Sequence, residues 1–237
     1  MTAQVSYGKA IYAGFSDLSV FSKQLLAVEG LHRYIFGATQ TGDEILKTLK
    51  SFKDVADFYS IIPEAKKFIE FASGNRTDFK DSSVKSIKFF VCVLKVTEVV
   101  KKTFKLAVFN QAAFGMTIAK GVGEISVQTY NIYKAYVKIH EFKGVLENTE
   151  SAVSFLDSDY LSKEKTIKEK WAEIAMSVSI IGLSITDMTV KTVAKFTGAE
   201  TIFVVGGLAI SAAGFCKSYY NSLASQHQDS INSPKKD

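Results

Sequence analysis

Apolar residues recur at steps of three and four along most of this chain, and the polar residues between them fall into stripes. Ile45, Leu49, Phe52, Ala56 and Tyr59 share one face, while Lys47, Lys50 and Lys53 fall elsewhere. This is the signature of an amphipathic helix over about 43–62. Ser16 and Asp17 can cap an earlier helix at about 17–36, ending near Gly37. Pro63 disfavours helical geometry in the residue before it and can open the short helix PEAKKFIEFA. The stretch SGNRTD at 73–78 reads as a turn. Over 82–109, Lys85, Lys88, Lys95, Glu98, Lys102 and Lys105 form one narrow polar stripe on an otherwise apolar helix. Such a helix is buried on most sides or faces lipid. Over 111–142, Lys120, Glu124, Gln128, Asn131, Lys134 and Lys138 line one side, and Ile118, Val122, Ile125, Tyr133 and Val137 the other. Residues 1–15 read as irregular, and 143–170 as a polar linker or short helix.

The pattern changes after residue 170. Ile174–Thr186 is an uncharged run of 13 residues, and Thr201–Cys216 one of 16. A membrane-spanning helix needs about 20 apolar residues. Trp171 extends the first run as an interface anchor; Tyr219 and Tyr220 extend the second, with Lys217 reaching the headgroups by its long stem. Gly206, Gly207, Ser211 and Gly214 permit close backbone approach. Gly207 with Ser211 is a small-xxx-small pair, and Ala209 with Ala213 another. The upstream flank carries Lys163, Lys165, Lys168 and Lys170; the downstream flank carries Lys217, Lys235 and Lys236. By the positive-inside tendency both flanks of a hairpin would be cytosolic. The competing expectation is two buried helices of a soluble, cytoplasmic bundle.

Composition sharpens this. The chain has two prolines among its 237 residues, Pro63 and Pro234, and a mean hydropathy of +0.10. All-β folds need frequent turns, so a long proline-free stretch favours helices. Of 29 basic residues only Arg33 and Arg76 are arginines. Base and phosphate readers rely on arginine, so nucleic acid is not an expected partner. Cys92 and Cys216 sit in apolar runs and exclude a disulfide framework or a cysteine-ligated metal cluster. The three histidines, His32, His140 and His227, are scattered. Gly121-Val122-Gly123 lacks the third glycine and preceding strand of a dinucleotide fold. No catalytic residue, metal or cofactor is expected. The N-terminus lacks a basic segment followed by an unbroken apolar core, so classical secretion is not expected.

The layout resembles the chlamydial inclusion membrane proteins. In that family a bilobed hydrophobic region accompanies helical segments without a secretory signal. EILKTLKSFKDVADFYSIIPEAKKFIEFA (44–72) and GGLAISAAGF (206–215) are similar in texture to one branch of it. The resemblance implies type III secretion and insertion into a host-derived vacuole membrane, with no catalytic residues. A second similarity is to the peroxisome-proliferating peroxins, on KEKWAEIAMSVSIIGLSITD (168–187) and VVGGLAISAAG (204–214). It implies remodelling of an organelle membrane by amphipathic helices.

The expected protein is therefore all-α and non-enzymatic. An irregular N-terminus (1–15) precedes an amphipathic helical module (16–142). A linker (143–170), an apolar helix pair (171–220) and a polar tail (221–237) follow. Its expected partners are membrane lipid, an unidentified protein and a second copy of itself. A soluble effector or scaffold that binds an apolar ligand or a protein is the alternative.

Overall fold

The computed structural model describes residues 5–16, 61–73, 79–104, 113–149, 158–192 and 199–232, with single helical positions between 35 and 59. All regular secondary structure among these residues is helical. The elements are α1 (Tyr7–Ser16), α2 (Ile61–Ala72), α3 (Phe79–Phe104), α4 (Ala113–Thr149), α5 (Ser158–Thr192) and α6 (Ala199–Asn232). The helix expected at 17–36 lies almost wholly outside the described residues. So do Leu49 and Phe52; Ile45 and Tyr59 are helical and exposed.

Chain-neighbouring helices pack on one another, from α2 through to α6, and α1 returns to cover α6. The pairs are antiparallel. Between α5 and α6, Ser162 Oγ donates to Ala224 O at 3.1 Å, Lys217 pairs with Glu173 at 3.2 Å, and Leu183 lies against Gly206. The two positions in each contact sum to nearly the same number, which is the mark of an antiparallel register. The same holds for α4 against α5, where Ser184 Oγ donates to Glu124 at 2.8 Å and Lys120 faces Asp187 at 3.7 Å. At 34–37 residues each, α4, α5 and α6 are long enough to rise about 50 Å.

Two sequence expectations need correction, and one relation between elements is new. Residues 7–16 are helical rather than irregular. A helix of 10 residues has little stability alone, so its periodicity does not declare it. It is held by α6: Ala10 is fully buried, the Gly14 backbone abuts the Phe215 ring, and Ser6 N–H donates to Gln226 Oε1 at 2.7 Å. Secondly, most of 143–170 is helix: α4 runs on to Thr149 and α5 begins at Ser158. The polar composition there is helix-forming. Asp159 pairs with Lys163, Glu164 with Lys168 and Lys170 with Glu173, at the i,i+3 and i,i+4 spacings that stabilise a helix from within. The new relation is that the polar stripes of α3 and α4 meet over part of their length. Lys95 meets Glu124 at 2.6 Å, and Lys120 meets Glu98 at 3.0 Å. Phe90, Val122, Tyr133 and Val137, on the apolar sides, are exposed.

The paired glycines of α4 serve this packing. A Cβ at Gly121 would meet Met188 of α5, and one at Gly123 would meet Val91 of α3. Gly121-Val122-Gly123 thus lets one helix approach two neighbours, inside an unbroken helix.

Candidate membrane-contacting site

The two uncharged runs lie side by side. Glu173, next to the first run, touches Lys217, next to the second; Leu183 touches Gly206 further along. Antiparallel pairing thus places 174–186 level with about 203–216. The shared apolar length is about 20 Å on α5 and about 21 Å on α6, at 1.5 Å per residue.

Gly206 of α6 sits under Leu183 of α5, where only a residue without a side chain allows so close an approach, and Ile210, Ser211, Ala213 and Gly214 are buried along α6, which packs on both α5 and α1. Gly207 is half-buried. Ala209 is exposed although Ala213 is buried, so that small-residue pair does not act as one face. Ser177 of α5 and Ser211 of α6 are buried at the same level. Both hydroxyls lack a hydrogen-bond partner among the described residues.

The outer surfaces are apolar. Over 171–186 of α5 the exposed positions are Trp171, Ala175, Val178, Gly182 and Ile185, at steps of four and three. On α6 they include Ile202, Val205, Ala209 and Ala212. A core helix of a soluble protein would be mostly covered. Here both helices are long and apolar enough to cross a membrane, and only 17% of the most apolar stretch of each is buried. Hydroxyls on these surfaces bond back into their own helix: Ser179 Oγ donates to Ala175 O at 2.9 Å and Thr189 Oγ1 to Ile185 O at 2.8 Å. That satisfies them without water.

Polar clusters close the slab at each end. At one end Glu173 receives hydrogen bonds from Lys170 (2.9 Å) and Lys217 (3.2 Å). At the other, Lys95, Glu98, Lys120, Glu124, Ser184 and Asp187 join α3, α4 and α5. Each charge in that second cluster faces an opposite one, which removes much of the cost of taking it out of water. The lysines upstream of the first run are likewise balanced by Asp159, Glu164, Glu169 and Glu173.

A third polar contact lies between α3 and α4. Tyr130 and Lys134 both donate to Asp81, Lys134 at 2.7 Å. The Lys134 hydrogen bond first, and that of Tyr130 second, hold the Asp81 carboxyl below its usual range. The same contact raises Lys134. A cleft of about 570 Å³ opens beside it between α4 and α5, lined by Tyr133, Lys134, Val137, Lys170 and Glu173 among others. Its lysines face carboxylates, so it presents no unbalanced charge for a charged ligand.

Tyr219 and Tyr220 pack together at 5.3 Å, and Phe215 stacks on Tyr219 at 6.1 Å. Phe15 of α1 continues this row, 5.1 Å from Phe215. The sequence reading missed Phe15, because nothing in the N-terminal segment shows that it meets α6. Among the described residues no group of three metal-ligating side chains converges. No protein-family model, curated protein or solved structure matches this chain.

Proposed function

We propose that this chain is a non-enzymatic helical membrane protein, anchored by the α5–α6 hairpin. Its remaining helices would recruit a protein partner or shape the bilayer. One observation carries the reading: two apolar runs stand in register in one antiparallel pair, and each leaves an apolar stripe exposed. In water such surface is costly, at about 25 cal/mol per Å²; in lipid it is not. The close approach at Gly206 suits helix packing within a membrane. The layout's resemblance to the inclusion membrane proteins supports a host-derived vacuole as the membrane, with both flanks of the hairpin cytosolic. The peroxin-like alternative changes the organelle and keeps the anchor.

Alkaline carbonate extraction tests the anchor. The expressed protein is expected to stay with the membrane pellet, and release into the soluble fraction refutes the proposal.

A second reading, a soluble homo-oligomer serving as a scaffold, has one specific observation in its favour. The exposed stripe of α5 has the 4-3-4-3 spacing of a helix–helix seam, and its 13-residue run falls short of a bilayer's hydrocarbon core of about 30 Å. That reading expects a monodisperse oligomer purified without detergent.

A further inference from the structure

We propose that exposed aromatic residues of α1, α4 and α5 form one collar that sits at the boundary between lipid headgroups and hydrocarbon. The membrane-contacting unit then includes α1 and α4 as well as the hairpin. The inference rests on the anchoring reading above and adds its depth and extent.

The level of each residue follows from the contacts between helices. Glu173 touches Lys217, which fixes α5 against α6. Trp171 is two residues from Glu173, about 3 Å along the axis. Tyr133, Lys134 and Val137 share a cleft with Lys170 and Glu173, so Tyr133 and Tyr136 stand level with Trp171. The Phe15 ring lies 5.1 Å from that of Phe215, two residues before Lys217, and Gly14 abuts the same ring. Tyr12 and Phe15 thus reach this level too. Tyr12, Phe15, Tyr133, Tyr136 and Trp171 are all about half exposed or more, at 49–73%. They lie far apart in sequence and come to one plane only through packing.

The surface changes character at that plane. On the side of the apolar runs, the exposed residues of α4, α5 and α6 are uncharged over 122–132, 174–186 and 203–216. The α4 members are Val122, Ser126 and Thr129; the two hydroxyls donate to Val122 O at 2.9 Å and Ile125 O at 2.8 Å. The charges of α4 in this zone, Lys120 and Glu124, are turned onto α3 and α5. On the other side, Lys9, Glu141, Lys143, Glu147, Lys168 and Asp229 are exposed. Amphipathic aromatic rings between an uncharged zone and a charged one match the two-sided environment of a bilayer interface. A soluble partner would have no reason to require the same boundary on three helices.

Trp171 is the chain's single tryptophan, so it reports its own depth. The full chain is reconstituted into phosphatidylcholine vesicles whose acyl chains are brominated either near the headgroup or near the bilayer centre. Trp171 emission is expected to shift to the blue and to be quenched more by the shallow bromines. In a Trp171→Phe background, Tyr136→Trp and Tyr12→Trp should show the same shallow profile, and Val178→Trp a deeper one. These positions are exposed, so the substitutions leave the packing intact. Vesicle flotation with no quenching at Tyr12→Trp and Tyr136→Trp overturns the collar while leaving the hairpin anchor standing. Strongest quenching of Trp171 by the deep bromines also overturns it. Failure of the protein to float with vesicles overturns both readings.

Discussion

Alanine at Gly14, Gly121 and Gly206 should give three different outcomes, because each glycine meets a different kind of neighbour. A Cβ at Gly14 would lie 2.4 Å from Phe215 Cδ2 and 2.5 Å from its Cε2. That ring is rigid and held between Phe15 at 5.1 Å and Tyr219 at 6.1 Å. It turns only as one plate between those neighbouring rings, which leave it little room, so α1 must move off. Overpacking of this kind costs about 1–3 kcal/mol. Gly14 lies in the last turn of α1, where alanine recovers less than the roughly 1 kcal/mol it gains inside a helix. The balance is a net loss, large enough to release a helix of 10 residues. At Gly121 the neighbour is Met188, with Sδ at 2.6 Å and Cγ at 2.8 Å. A thioether chain has three rotatable bonds and adapts. Gly121 is also inside the long α4, so the full gain of about 1 kcal/mol applies. Gly121→Ala should lose the least of the three. Gly206→Ala should fall between, because Leu183, with Cδ2 at 2.5 and Cγ at 2.9 Å, is branched and has fewer torsions than Met188 by which to retreat. Thermal unfolding of the three variants in one detergent gives the order, and hydrogen exchange of the α1 amides reports its release. The reasoning fails if Gly121→Ala destabilises as much as Gly14→Ala, or if α1 stays protected in Gly14→Ala.

Two further outcomes follow from the polar contacts. Asp81 is held below its usual value of 3.8 by Lys134 and Tyr130. A group depressed in the folded state contributes its stability fully above about pH 4, and loses it as pH falls through the folded-state value. The wild type should therefore lose thermal stability in acid more steeply than Asp81→Asn; equal slopes would show that the Asp81 contact contributes nothing. Ser177→Ala and Ser211→Ala each remove a buried hydroxyl without a partner among the described residues. Each variant should melt at or above the wild-type temperature, because an unmade buried hydrogen bond costs about 1–3 kcal/mol. A clear drop in either would mean that the hydroxyl is paired.

The long helices were legible for a simple reason. In α4, Lys120, Glu124, Gln128, Asn131 and Lys134 repeat at helical spacing, and no proline interrupts residues 64–233. What the stripes face was not legible. A stripe of lysine and glutamate reads as solvated until a second stripe of matching charge is placed against it, as Lys95 and Glu98 are placed against Glu124 and Lys120. The ends of elements were also hidden. Lysines and glutamates at 163–170 look like a linker by composition, yet their pairing at i,i+3 and i,i+4 continues α5.

The sequence by itself determined the all-helical class, because periodicity and the shortage of proline are local properties of the backbone. It also determined where the two uncharged runs lie, because hydropathy is additive along the chain. Only the tertiary structure decided that these runs stand in register, with Glu173 beside Lys217. It alone placed Phe15 on Phe215 and the aromatic residues of α1, α4 and α5 at one level. Those relations join residues up to about 200 positions apart. They depend on which helix faces meet, and no short stretch of the chain records that choice.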